Sequence, residues 1–322
     1  MDWFERLTGF AEDRPRGVRE RLRQDDEWIE SRVNGRRIRA GRFSHPTLEE
    51  LRAAAMPGRA GRLRLSEVVA DVRELHRDPR HEGAAFQVAS QFNLLEMISP
   101  EVTPDEGIGR YESDRTQGPA CALSCGAGTI FRNYLVAVGG GRRGQTARHQ
   151  LDGLDALGAA LGNDGGRLWK MQNGYALATA AGLATVTRAI AEGGADGLRR
   201  LIRVGVQAET EVTLDGAGHC VTQVYCSAMP VAYSEFGPGP WEGFARLALD
   251  AAYEATFLVA RETRGPLFLT LLGGGAFGNP VAWILAALER ALTLFAECDL
   301  DVRIVSHGAA DPALETLLAR FG

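Results

Sequence analysis

From residue 84 onward, short apolar runs alternate with longer segments whose apolar residues recur at helical spacing. Residues 84–90 (AAFQVAS) are a continuous apolar run and predict a buried strand. Residues 119–135 (PACALSCGAGTIFRNYL) predict a helix of small residues leading into a strand at NYLVAV. GLDALGAALG and ATAAGLATVTRAIAEG have helical spacing. RVGVQAETEV and CVTQVYCSA have strand spacing, and the DGAG between them predicts a hairpin. Residues 241–262 predict a long helix, PLFLTLLGGG a strand entering a glycine loop, and residues 279–297 the next helix. DVRIVSH and DPALETLLARF complete the pattern as strand and helix. Such alternation predicts an α/β domain with a sheet between helices. The first 80 residues read differently. Residues 14–32 interleave arginines and acids around Val18, Leu22, Trp28 and Ile29, as on a solvated helix. HPTLEELRAAA places a glutamate at the capping-box position. LSEVVADVRELH predicts a second helix capped by Ser66, after the linker PGRAGR. Residues 1–80 are therefore expected to be a helical extension, and residues 81–322 the main domain.

Composition sharpens this in three places. The 322 residues carry a formal charge of -5, are 45% hydrophobic and include 39 glycines. That is about 12% glycine against roughly 7% in ordinary usage, too apolar a chain for disorder. Of the 36 Lys and Arg residues only Lys170 is lysine, so a lysine-bearing phosphate loop is excluded. Residues 1–80 hold 18 arginines against 15 acids. The mixing of signs argues for solvated helices over a nucleic-acid surface. No apolar run approaches the roughly 20 residues of a membrane span. The start, MDWFERLTGF, lacks the basic region and apolar stretch of a secretory leader. Five cysteines in apolar or helical segments predict reduced thiols and a cytoplasmic setting. Cys121 and Cys125 lack the second pair of a zinc site, and no metal or cofactor is expected.

Five segments carry candidate chemistry. In LLGGGAFGNPVAWI a strand ends in Gly273, Gly274, Gly275, Ala276, Phe277, Gly278 and Asn279, and Pro280 opens a helix. Backbone amides there can cradle a diphosphate; a tight strand–helix connection explains the same residues. In YESDRTQGPACALSCGAG, Glu112, Asp114, Thr116, Gln117 and Gly118 precede a second small-residue helix. Asp114 and Thr116 are candidate site residues or simply caps. FQVASQFNLLEM ends a strand in Gln91 and Asn93, where α/β sheets bind ligands. LWKMQNGYALAT and TQVYCSAMPVAYSEF mix aromatics and amides. Trp169 and Tyr225 are suited to stack a base, and Asn173 to orient a ribose, although core packing accounts for them as well.

The order of FQVASQFN, YESDRTQGPACA and LLGGGAFGNP resembles the macrodomain family. With WKMQNGY, these motifs look closer to its divergent bacterial-effector branch of ADP-ribosylhydrolases, distantly related to poly(ADP-ribose) glycohydrolase. The resemblance covers roughly residues 84–322. It implies a three-layer α/β/α fold with a mixed sheet, ADP-ribose as ligand and product, no required cofactor, and a mono-ADP-ribosylated protein as substrate. For that branch the modified protein is ubiquitin, linked through arginine, in a cytosol or in a host cytosol reached by delivery. Asp114 would orient water or stabilise an oxocarbenium-like transition state, with Glu112 in reserve. Gln91 and Asn93 would hold the distal ribose, Phe277 would pack on it, the amides of Gly273–Gly278 and Gly118 would cradle the diphosphate, and Trp169 or Tyr225 would meet adenine. The NAAN and GGGVDGAI runs of ordinary macrodomains are absent, as is the glycohydrolase's triple glycine followed by Gln-Glu-Glu. Poly(ADP-ribose) is thus the less expected substrate. A non-catalytic ADP-ribose reader, a phosphatase of ADP-ribose phosphate esters and a scaffold with a vestigial pocket remain alternatives.

Overall fold

The computed structural model describes residues 1–56 and 58–322. Seven strands form the central sheet: β1 (Arg42–Ser44), β2 (Arg64–Val69), β3 (Ala85–Ala89), β4 (Gly205–Glu211), β5 (Cys220–Cys226), β6 (Leu267–Leu269) and β7 (Asp301–Ser306). Their spatial order is β1-β4-β5-β3-β6-β7-β2. Only β4 runs antiparallel to its neighbours; the β5-β3-β6-β7-β2 pairs are all parallel. The sheet is therefore mixed and mostly parallel, as expected.

Period-two alternation sorts the β3 side chains to two faces. Ala85 joins one large core with the helices α2 (Ala180–Gly193), α3 (Pro238–Ala260) and α4 (Val281–Leu294). Phe86 and Val88 point the other way, into a smaller core with Val72, Leu75 and residues of α1 (Gln117–Ser124). Helices thus cover both faces, which is why β3 reads as an unbroken apolar run.

The expected helical extension is corrected. Residues 1–80 supply both edges of the central sheet, β1 and β2. Residues 14–32 are helical only over Pro15–Arg21, and Leu22–Asp25 and Trp28–Ser31 then pair as a hairpin extended by Arg37–Arg39. Asp26 turns the chain at φ +52°. The alternating charges that suit a helix suit a hairpin equally: Arg23 meets Glu30 across the strands at 2.9 Å, and Arg37 lies over Trp28. The segment around Ser66 is not one helix. Its β-branched Val68 and Val69 extend β2 along β7, and Asp71 caps a separate helix, Val72–Arg77. The predicted strand at NYLVAV is also absent: helical turns run through Phe131–Leu135, where Arg132 and Tyr134 are both fully buried. The capping box does form, with Thr47 and Glu50 exchanging bonds.

A third core explains why the N-terminal segment stays attached. Trp3, Phe4, Leu7 and Phe10 pack with Leu95, Ile108, Tyr111 and Tyr134. The N-terminus thereby braces the loops that carry the site. Among the described residues, no helix is long and apolar enough to cross a membrane.

Candidate functional site

Pairing between β3 and β6 covers only Ala85 and Phe86 and then stops, while β5 follows β3 to Ala89. Backbone groups on the freed edge of β3 need partners. Gln117 supplies them from the first turn of α1: its Oε1 accepts from the Ala89 amide at 2.9 Å, and its Nε2 donates to the Gln87 carbonyl at 2.8 Å. The side chain thus continues the ladder in place of a strand. At Gly118 the approach is closer still. A Cβ there would lie 2.0 Å from the Ala89 carbonyl oxygen, so only glycine lets α1 begin against the strand end.

Beyond this junction a cavity of about 570 Å³ opens at the carboxyl ends of β3 and β6. Gln91, Asp114, Thr116, Gln117, Gly118, Gly273, Gly275, Ala276 and Phe277 all line it. Three segments, reaching from Gln91 to Phe277 along the chain, therefore meet at one place, as their order suggested. Asp114 follows a short 3-10 turn, Gly109–Ser113. Its Oδ1 accepts from both the amide and the hydroxyl of Thr116, at 2.8 and 2.6 Å, and its Oδ2 has no protein partner among the described residues. The helix behind it starts with no side-chain cap, so the first-turn amides of Gln117 and Gly118 are open to an anion.

The glycine loop is held by Asn279. Its Nδ2 donates to the carbonyls of Met229 and Gly273 at 2.8 and 3.2 Å. Asn279 therefore pins the cradle and does not line it; Gly274 and Gly278 also lie outside the lining. Pro280 stands just before α4, not in its first turn.

Several expected site residues are placed elsewhere. Glu112 points to the opposite side, paired with Arg6 at 2.5 Å and accepting from the Trp3 amide. Asn93 is fully buried; its Oδ1 accepts from the Leu95 amide and its Nδ2 donates to Gln150. It shapes a turn and is not part of the cavity lining. Asn173 sits at φ +47° in the Asn-Gly turn of the hairpin Trp169–Gln172 and Tyr175–Ala178, with Nδ2 on the Pro100 carbonyl. Trp169 is buried against Phe244 of α3, 5.0 Å between centroids. Tyr225 is buried beneath the Arg132 guanidinium, 3.5 Å from its ring centroid. Neither aromatic lines the cavity. Their strand alternation and bulk place them in the core, where large apolar surface is most stabilising.

The structure adds three residues. Tyr175 and Tyr233 join Phe277 as an aromatic wall, with centroids 5.1 to 5.8 Å apart. Tyr175 is fixed by its hydroxyl, which donates to the Met97 carbonyl at 2.7 Å. The Asn-Gly pair at 173–174 is the hairpin signal that could have placed it. Glu96 also lines the cavity, almost wholly buried, and nothing in FNLLEM marked it. Burial pushes its carboxyl up to about 7, against the opposing pull of Arg132, whose Nη2 lies 3.2 Å away. Arg132 also donates to the Leu94 carbonyl and to Thr129. The guanidinium keeps its charge in any protein, and the buried Glu96–Arg132 pair has Tyr225 as its floor. Tyr111 closes it by accepting from the Glu96 amide at 2.9 Å. Among the described residues, no group of three or more His, Cys, Asp or Glu side chains is arranged to hold a metal.

No family model and no curated protein matches the chain. Among solved structures, it is similar to poly(ADP-ribose) glycohydrolase from Deinococcus radiodurans in complex with ADP-ribose, at 12% identity and a TM-score of 0.45, covering 86% of this chain and 95% of that one. It is also similar to the Thermomonospora curvata poly(ADP-ribose) glycohydrolase bound to the inhibitor ADP-HPD, at 14% identity and a TM-score of 0.43, covering 95% of this chain and 96% of that one. Likeness at this level leaves function to be argued from the chain's own residues.

Proposed function

We propose that the chain is an ADP-ribosylhydrolase that binds ADP-ribose in the cavity between β3 and β6 and releases it from a mono-ADP-ribosylated protein. The observation that carries this reading is the convergence of Asp114, the open start of α1 and the glycine loop with Phe277 on one cavity. Each supplies a different need of the ligand. Backbone amides offer positive potential to a diphosphate without lysine. The wall of Tyr175, Tyr233 and Phe277 offers an apolar face to a sugar or base. Asp114, with one oxygen held by Thr116 and the other unpaired, can orient a water toward an anomeric carbon or stabilise developing positive charge there. Glu96 is the only other carboxylate lining the cavity among the described residues, and its tie to Arg132 holds it in place behind that site.

The substrate follows from the motif resemblance: ADP-ribose on a protein such as ubiquitin, linked through arginine, in the manner of the effector-type branch. Calorimetry with ADP-ribose, followed by release assays on arginine-, glutamate- and serine-linked mono-ADP-ribosylated proteins, tests both levels. Binding with release supports the hydrolase. Binding without release from any of the three leaves a reader, and absence of binding removes the proposal.

A further inference from the structure

A second recess, which shares no lining residue with the cavity above, is basic throughout. It has a volume of about 530 Å³ and is lined by Arg19, Arg142, Arg143 and His149 with Gly141, Gly144 and Thr146. No acidic side chain lines it. This is unusual in a chain with more acids than cations, whose other arginines are commonly matched, as Arg16 is by Glu20 and Arg21 by Asp13. Arg19, Arg142 and Arg143 have no carboxylate partner among the described residues. The carboxylate that bonds to this loop, Asp105, is engaged by the Ala147 amide at 3.0 Å. Arg19 is the most telling of the three. Its Nη1 is buried and has no hydrogen-bond acceptor, and a buried charged donor left unsatisfied is costly.

The backbone is arranged to the same end. Residues 137–143 form a miniature hairpin, closed by the Val138 amide on the Arg142 carbonyl at 3.2 Å and the Gly144 amide on the Val136 carbonyl at 2.7 Å. Its tip is Gly139-Gly140-Gly141, all at positive φ. Of the three, Gly141 lines the recess, and turns of successive amides are a common anion-binding element. The loop is also rigidly based: the Gln145 side chain donates to the carbonyls of Asn93 and Arg132 at 2.9 and 3.0 Å.

We propose that this recess is a binding site for a phosphate-bearing anion, gripped by Arg19, Arg142 and Arg143 beside Gly141 of the triple-glycine turn. Two or three guanidinium groups without competing carboxylates suit a group of charge -2 or more, since each can bind phosphate oxygens in bidentate fashion. The site stands independently of the function proposed above. The test is calorimetric titration of pyrophosphate, and separately of ADP, into the full chain at low salt, repeated with the double variant Arg142→Gln/Arg143→Gln and with Arg19→Gln. Arg142 and Arg143 are exposed on the turn, so the double variant should keep the wild-type melting temperature. Pyrophosphate affinity is expected to fall at least about tenfold in both variants, while ADP-ribose binding stays at its wild-type value. Loss for pyrophosphate alone assigns a free phosphate anion; loss for ADP as well assigns a nucleotide. Equal pyrophosphate affinity in wild type and both variants, or no binding to wild type at millimolar concentration, overturns the site.

Discussion

Replacing Arg132 with methionine tests the buried pair beneath the cavity. Arg132 is fully buried, and its Nη2 lies 3.2 and 3.4 Å from the two Glu96 oxygens. Removing it strands a carboxyl that has no other cation within bonding distance among the described residues. Breaking one partner of a buried pair costs about 3–5 kcal/mol, and lost cover over the Tyr225 ring adds to this. For a domain of this size, such a loss lowers the melting temperature by on the order of 10 °C. The pH dependence gives the sharper signature. Burial already raises the Glu96 carboxyl to about 7, and loss of Arg132 removes the opposing pull, raising it further. A carboxyl whose folded pKa exceeds its unfolded value stabilises below the unfolded value, and that stability is lost as pH rises through the folded one. The deficit of Arg132→Met should therefore be greater at pH 8 than at pH 5, by up to about 1.4 kcal/mol. Denaturant melts at the two pH values read this directly. Adding Glu96→Gln should remove the pH dependence of the deficit, because no titrating group is then left at that position. A deficit below about 1 kcal/mol, or one that is equal at both pH values, would refute the argument that the pair is charged and coupled.

Asp114→Asn should retain ADP-ribose affinity while release from a mono-ADP-ribosylated protein falls by at least about a hundredfold; unchanged release takes Asp114 out of the mechanism. Phe277→Ala opens the aromatic wall and should weaken ADP-ribose binding by about tenfold in a titration, with little change in melting temperature. Gly118→Ala forces a Cβ towards the Ala89 carbonyl oxygen and should destabilise by about 1–3 kcal/mol in thermal unfolding. Gln117→Ala strips partners from the Ala89 amide and the Gln87 carbonyl and should cost about 1–3 kcal/mol, read by faster amide exchange at Ala89.

The sequence alone carried the β/α alternation from residue 84 onward, since burial on one or both faces imposes a period on the chain itself. The hairpin joining β4 and β5, the long α3 and the strand of β3 lie where the pattern puts them. The Gly-Pro and glycine-loop signals also survived, because a close backbone approach leaves few residue choices. At Gly118 the neighbouring carbonyl excludes any side chain. What the pattern left undecided has one cause: a residue type admits several partners, and tertiary packing selects among them. Alternating arginines and acids fit a helix or a hairpin, and burial of Leu22, Ile29 and Ile38 in the N-terminal core favours the hairpin over residues 22–31. Glu112 and Asp114 are two residues apart, yet the turn sends one to Arg6 and the other to the cavity. Trp169 and Tyr175 lie in the same small hairpin, and only the second lines the cavity. Glu96 had no local mark at all, because its partner Arg132 is 36 residues away and meets it only when the helical turns of 126–135 fold against the end of β3. Local periodicity thus set the elements and their order. Long-range burial of charge decided which polar side chains face the cavity and which hold it in place.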